Sequence, residues 1–154
     1  MNQLQTSLFN VGLKVFEDLG FMLPTSELDS EQAAAEFHSA VSVNFRGPVA
    51  GTLVVAISGD VLPILTSNML GEEEVPSDLQ QKDALKELAN VICGNLLPQI
   101  AGPAAVFEIA EPEIQASENV PDGGLPLTAQ QSIGLENGRA ELLLYLSKGP
   151  HWQE

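Results

Sequence analysis

Four residues of this chain have types and spacing that could do chemistry: Asp83, Glu87, Asn90 and Gly94. At about 100° per residue they fall inside an arc of roughly 60° on one side of a helix. That side presents a carboxylate, a carboxylate, an amide and a gap. Glycine costs a helix interior about 1 kcal/mol relative to alanine, so Gly94 is easier to explain if something must approach closely there. On residue chemistry alone the row also reads as an ordinary solvated face, with Lys82 and Lys86 free to pair with Glu87. No other set competes. His38 and His151 are far apart and have no ligand-spaced neighbours, so no metal site is expected. No serine stands in a Gly-x-Ser-x-Gly elbow, and Cys93, the only cysteine, has no nearby histidine. Cys93 reads as a small buried hydrophobe. Gly123-Gly124 lacks the lysine and helix of a phosphate loop.

The element that must carry the row is a helix from Ser77 to Gly102. Ser77 and Gln80 form a capping-box signature, and Asp78 adds negative charge at the positive end of the helix dipole. Leu85, Leu88, Ile92 and Leu96 make the opposite, core-facing stripe. Pro98 is expected to kink or end the helix, and Gly102-Pro103 to stop it.

Around this helix the chain reads in order. Leu4 to Leu23 has helical spacing in Leu8, Val11, Val15 and Leu19, with Gly20 as an end or loosening point and Pro24 as the close of the segment. Thr25 to Ala35 is a polar loop or a short helical turn. Glu36 to Phe45 alternates, with Phe37, Val41, Val43 and Phe45 on one face and His38, Ser42 and Asn44 on the other. Arg46-Gly47-Pro48 turns the chain into a more buried strand, Gly51 to Ser58, completing a hairpin. Asp60 is expected to cap a helix through Leu70, with Gly71 as its stop. Glu72 to Glu74 is a solvated charge run. Ala104 to Ala110 reads as a strand that Pro112 interrupts, at an edge or a bend, with Glu113 to Ser117 as its resumption. Glu118 to Pro126 is a loop, Leu127 to Glu136 and Arg139 to Lys148 are strands around Asn137-Gly138, and Gly149 to Glu154 is a tail. Strands are grouped rather than alternating with helices. The expected class is α+β, in the order α-β-β-α-α-β-β-β, with a largely antiparallel sheet and helices over one face.

The 154 residues favour one domain, 1–154, and 44% hydrophobic content gives it a core without metals or disulfides. A net charge of −15 argues against nucleic acid and anionic membrane, and permits a partner with a basic rim. No signal peptide opens the chain, and no apolar run approaches the ~18 residues of a membrane span. A soluble cytoplasmic protein is expected.

Asp83-x3-Glu87-x2-Asn90, followed by Pro112, resembles the signature of the CheC/CheX family of chemotaxis phosphatases. Twenty-one residues separate Asn90 from Pro112, one fewer than in that signature. The opening LFNVGLKVFEDLGF resembles the family's first helix, GTLVVAIS its second strand, and LTSNMLGEE the end of its middle helix. The likeness runs from about Leu8 to Leu146. It is closer to CheX, with one active helix, than to CheC with two, because the first helix carries Ser7, Val11 and Lys14 at the equivalent spacing.

The resemblance implies a CheC-like fold and hydrolysis of the aspartyl phosphate of a phosphorylated CheY-like receiver domain. It implies that Asn90 orients the attacking water, that Glu87 pairs with the partner's lysine, and that Asp83 touches the partner. Gly94 would leave room for the partner's backbone. The chain would need no metal or cofactor of its own, the divalent metal (Mg) coming with the receiver, and it would be a homodimer. Two other readings stand beside this one. The chain could be a non-catalytic module of the same fold that binds a receiver or a motor component, or an acidic adaptor outside phosphorelay.

Overall fold

Two antiparallel hairpins laid side by side make the centre of the molecule. The computed structural model describes residues 2–72, 74–115, 125–136 and 138–147. The elements are α1 (Gln3–Asp18), α2 (Ser30–Ala34), β1 (Phe37–Arg46), β2 (Gly51–Ser58), α3 (Val61–Leu70), α4 (Asp78–Ala101), β3 (Glu108–Ile109), β4 (Glu113–Gln115), β5 (Leu127–Leu135) and β6 (Gly138–Leu146). The sheet runs β3-β1-β2-β6-β5, with β4 also on β1, and each of its pairings is antiparallel. The α+β class and the grouped strands are as the sequence predicts. Short α2 is the helical turn expected in Thr25–Ala35; its Asp29 and Gln32 make a reciprocal capping box.

One face of the sheet holds the core. Val41, Val43, Phe45, Leu53, Val55, Ile57, Leu142 and Leu144 project toward α1 and α4, whose Leu8, Val15, Phe16, Leu85, Leu88 and Ile92 are buried against them. The other face is more polar. There Thr52 donates to Asn44 at 2.7 Å, Gln115 to Ser42 at 3.2 Å, and Gln130 to Glu141 at 2.8 Å. Glu141 is only 7% exposed; Ser132 also donates to it, and Arg139 stands 3.9 Å away. Those donors replace the water its carboxylate has lost.

Several expectations are corrected. The first helix ends at Asp18, just before the end or loosening point expected at Gly20 and short of Leu23. Gly20 packs where an added Cβ would meet Leu65 Cδ1 at 2.6 Å and the Phe16 carbonyl at 2.9 Å, and Asn68 donates to its oxygen at 2.9 Å. Tethered to α3 there, the backbone leaves the helix through Phe21 at φ 51°. Phe37 does not share a face with Val41. A bulge between Phe37 and Ser39 pairs Phe37 with Ser58, which turns its ring to the polar face beneath the Arg139 guanidinium, 4.4 Å from the centroid. Asp60 sits at the N-cap of α3, but its side chain makes no cap bond because its backbone is already helical (φ −81°, ψ −17°).

The strand expected over Ala104–Ala110 shrinks to Glu108–Ile109. It and β4 both pair with β1, with the register offset by one residue between them. Buried Pro112 lies in that offset. It has no N–H for the ladder, so the chain bulges around it. Gly138 opens β6, opposite Leu135, instead of serving as the second turn residue. A Cβ there would strike Ser58 Oγ and Val61 Cγ2, so close packing on β2 and α3 requires this glycine. Glu73, Ala116 and Ser117, the loop residues 118–124 with Gly123-Gly124, Asn137, Lys148 and the tail with His151 lie outside the described residues.

Helix α4 does not end at Pro98 but runs on to the stop expected at Gly102. It continues to Ala101, and Gly102 (φ 94°) caps it while donating its N–H to the Pro98 carbonyl at 2.9 Å. Three further residues stay helical, with Leu96 and Leu97 buried just ahead of the proline and Ile100 after it packed, partly buried, against the core. Pro98 has no N–H to offer the Gly94 carbonyl, and its ring crowds that carbonyl. Pro98→Ala is therefore expected to stabilise the fold by about 1–3 kcal/mol, read as a raised urea midpoint with an unchanged slope. A lowered midpoint would show that the native helix is built around the proline.

Candidate functional site

The row on α4 is positioned from its N-terminus. Ser77 Oγ accepts from the Gln80 N–H at 3.1 Å, and Gln80 accepts from the Ser77 N–H at 2.9 Å, which fixes the first turn. Rotation about the axis is set by the buried stripe. Leu85, Leu88 and Ile92 are completely buried and Leu96 is 1% exposed. With that side held in the core, Asp83, Glu87, Asn90 and Gly94 all lie in solvent.

Glu87 and Asn90 are separated by about 4.5 Å along the helix axis. Among the described residues no hydrogen bond or ion pair engages the side chain of Asp83, Glu87 or Asn90, and neither Lys82 nor Lys86 pairs with Glu87. The ordinary explanation of a charged helix face, mutual pairing, does not apply here. Gly94 is equally unconstrained, since an added Cβ would meet nothing within 4 Å. Its carbonyl also lacks the helical donor that Pro98 cannot supply. The four residues thus offer a free acid, a second free acid, a free amide and a bare stretch of backbone to something outside the chain. Pro112 is not part of this row; it lies on the sheet edge beside β1.

The corresponding positions of α1 differ. Val11 is 5% exposed, and exposed Lys14 pairs with Asp18 at 3.0 Å. The hydrogen bond to the Asp18 carboxylate, and then its charge, hold the Lys14 ammonium above the usual lysine range. Of these two helices, α4 alone carries a free acid-and-amide pair at those positions. A cleft of about 250 Å³ separates the two, with Asn10, Lys14, Val91 and Asn95 on its walls. Cys93 is buried on the core side, where desolvation pushes its thiol up to about 12; it stays protonated and packs as a small hydrophobe. His38 is exposed. Among the described residues no three His, Cys, Asp or Glu side chains come together as a metal site, and no helix is long and apolar enough to cross a membrane.

Leu79 is missing from the row as sequence alone marks it out. It stands four residues before Asp83 and is 69% exposed. The signal was present as an apolar residue in register with a polar row.

An antiparallel sheet with helices packed on its apolar face is the fold of the CheC-like class of chemotaxis proteins. The family model described as chemotaxis phosphatase CheX matches residues 39–121, which contain the whole row and Pro112. The chain belongs to the CheX family. Its fold is similar to that of CheX from Vibrio vulnificus, at 13% identity and TM-score 0.76, covering 95% of this chain and 97% of that one. CheX from Desulfovibrio desulfuricans is similar at 15% identity and TM-score 0.75, over 95% and 100% of the two chains. A solved CheX–CheY–BeF3–Mg2+ complex from Borrelia burgdorferi is similar at 16% identity and TM-score 0.64, over 93% and 97%. None of the curated proteins matches this sequence.

Proposed function

We propose that this chain, as a single domain of residues 1–154, accelerates hydrolysis of the aspartyl phosphate of a CheY-like receiver. The observation that carries the reading is that Glu87 and Asn90 stand exposed together with no partner of their own among the described residues. In this reaction a water oxygen attacks phosphorus in line, the bond from phosphorus to the aspartyl oxygen breaks, and inorganic phosphate and a free carboxylate leave. The Asn90 side-chain carbonyl accepts a hydrogen bond from the water and turns its lone pair toward phosphorus. An acyl phosphate transfers its phosphoryl group through a loose transition state, so positioning suffices where a strong base is not needed. The amide is neutral and meets none of the repulsion a carboxylate would feel near phosphoryl oxygens. Glu87 pairs with the receiver's lysine and sets the register; Asp83 adds a contact, and bare Gly94 lets the receiver's backbone close on the helix. Mg2+ enters with the receiver.

The test is phosphate release from a phosphorylated CheY-like receiver in Mg2+, with and without this chain. Acceleration supports the phosphatase; binding with no change in release selects the non-catalytic docking module instead. A homodimer belongs to the same proposal. Among the described residues the sheet ends in β5 on one side and in β3 and β4 on the other, and Thr25 bridges only Gly134 of β5, which leaves edge available for pairing across a two-fold axis. Sedimentation equilibrium is expected to give twice the 16.4 kDa chain mass; a single-chain mass at micromolar concentration rejects the dimer.

A further inference from the structure

Leu79 is exposed without a structural reason. It is the second residue of α4 and is 69% exposed. The buried residue beside the cap is Pro76, whose carbonyl accepts from Gln81 at 3.1 Å. Nothing in the core or the cap uses the leucine. Val75, just before the cap, is 88% exposed. On the helix wheel Leu79 lies about 80° from Glu87 and about 20° from Asn90, so it continues the same row one turn toward the N-terminus.

We propose that Leu79 is the apolar anchor by which this face holds the phosphorylated receiver, an inference that rests on the function proposed above. The occupant follows from geometry. Whatever protein brings a phosphoryl group to Asn90 must lie along α4. A standard interface covers roughly 800 Å² on each partner, which is a patch of about 16 Å radius. Leu79 stands about 12 Å from Glu87 along the axis, inside such a patch. The rest of the row, Asp83, Glu87 and Asn90, is polar. Charges and amides in water give register and encounter rate more than hold, whereas burying one leucine is worth about a tenfold change in Kd or more. The two parts of the row therefore divide the work: Leu79 retains the receiver, and Asn90 acts on it.

The division is testable by separating affinity from turnover. A CheY-like receiver loaded with beryllofluoride and Mg2+ is titrated with the wild-type chain and with Leu79→Ala, Leu79→Met and Asn90→Ala. Alanine is the best helix former, so Leu79→Ala keeps α4, as circular dichroism and the melting curve check. Leu79→Ala is expected to raise Kd about tenfold or more, Leu79→Met to bind within about threefold of wild type, and Asn90→Ala to bind as wild type does. On phosphorylated receiver, Leu79→Ala is expected to reach the wild-type rate at saturation. Wild-type affinity in Leu79→Ala overturns the anchor, and so does a methionine variant as weak as the alanine one. A wild-type chain that neither binds nor dephosphorylates the receiver overturns the anchor and the proposed function together. Binding without turnover removes the catalytic reading and leaves the anchor standing.

Discussion

Asn90→Ala is expected to abolish accelerated dephosphorylation while leaving a protein at least as stable as the wild type. The rate at saturating receiver should fall by about a hundredfold or more, the scale on which losing a positioned group costs a reaction that depends on orientation. Stability should not fall, because the side chain is exposed and makes no hydrogen bond within the described residues. Alanine is the better helix former, so the variant should gain up to ~0.7 kcal/mol. A concentration series of phosphorylated receiver separates the outcomes. The expected result is a collapsed plateau at an unchanged half-saturating concentration. A plateau equal to wild type would remove the water-orienting role, whatever the affinity did.

Helix α4 was legible because its signals agree: a reciprocal cap, one apolar stripe, and glycine at the end. The hairpins were legible for a similar reason, since β-branched runs stood on both sides of turn residues. What was missed depends on contacts distant in sequence. Phe37 continues a clean alternation, and only the pairing with Ser58 shows that a bulge reverses it. Gly20 reads as an end or loosening point from its residue type, but nothing local says that Asn68 and Leu65 will meet it. Gly138 reads as a turn residue by its neighbour Asn137, but it is required by Ser58 and Val61, which lie far earlier in the chain. Pro98 breaks helices in peptides, and here buried Leu96 and Leu97 ahead of it and partly buried Ile100 after it carry the helix on to the stop at Gly102. The acid-and-amide row was legible in residue type and spacing. That Lys82 and Lys86 leave Glu87 unpaired was not, because a surface lysine can reach either way along a helix.

Glu87 provides the complementary test, because its substitution should spoil docking rather than the water. If it meets a lysine of the receiver, Glu87→Gln removes half of a charge pair, and Glu87→Lys sets like charges against each other. Like charges set against each other across an interface cost several kcal/mol, so Glu87→Lys is expected to lower kcat/KM by about a hundredfold or more. Glu87→Gln should lie between it and wild type. Neither change should unfold the helix, since Gln and Lys match Glu in helix propensity and Glu87 has no intrachain ion pair to lose among the described residues. Salt adds an independent readout. The wild-type half-saturating concentration should rise with ionic strength, and that dependence should be weaker in Glu87→Gln, because an exposed pair is screened within about 8–10 Å at moderate salt. Asn90→Ala should keep the wild-type salt dependence. Should Glu87→Lys retain wild-type kcat/KM, the register of the two proteins is set elsewhere on α4, and the acid is only part of the solvated face that its spacing first allowed.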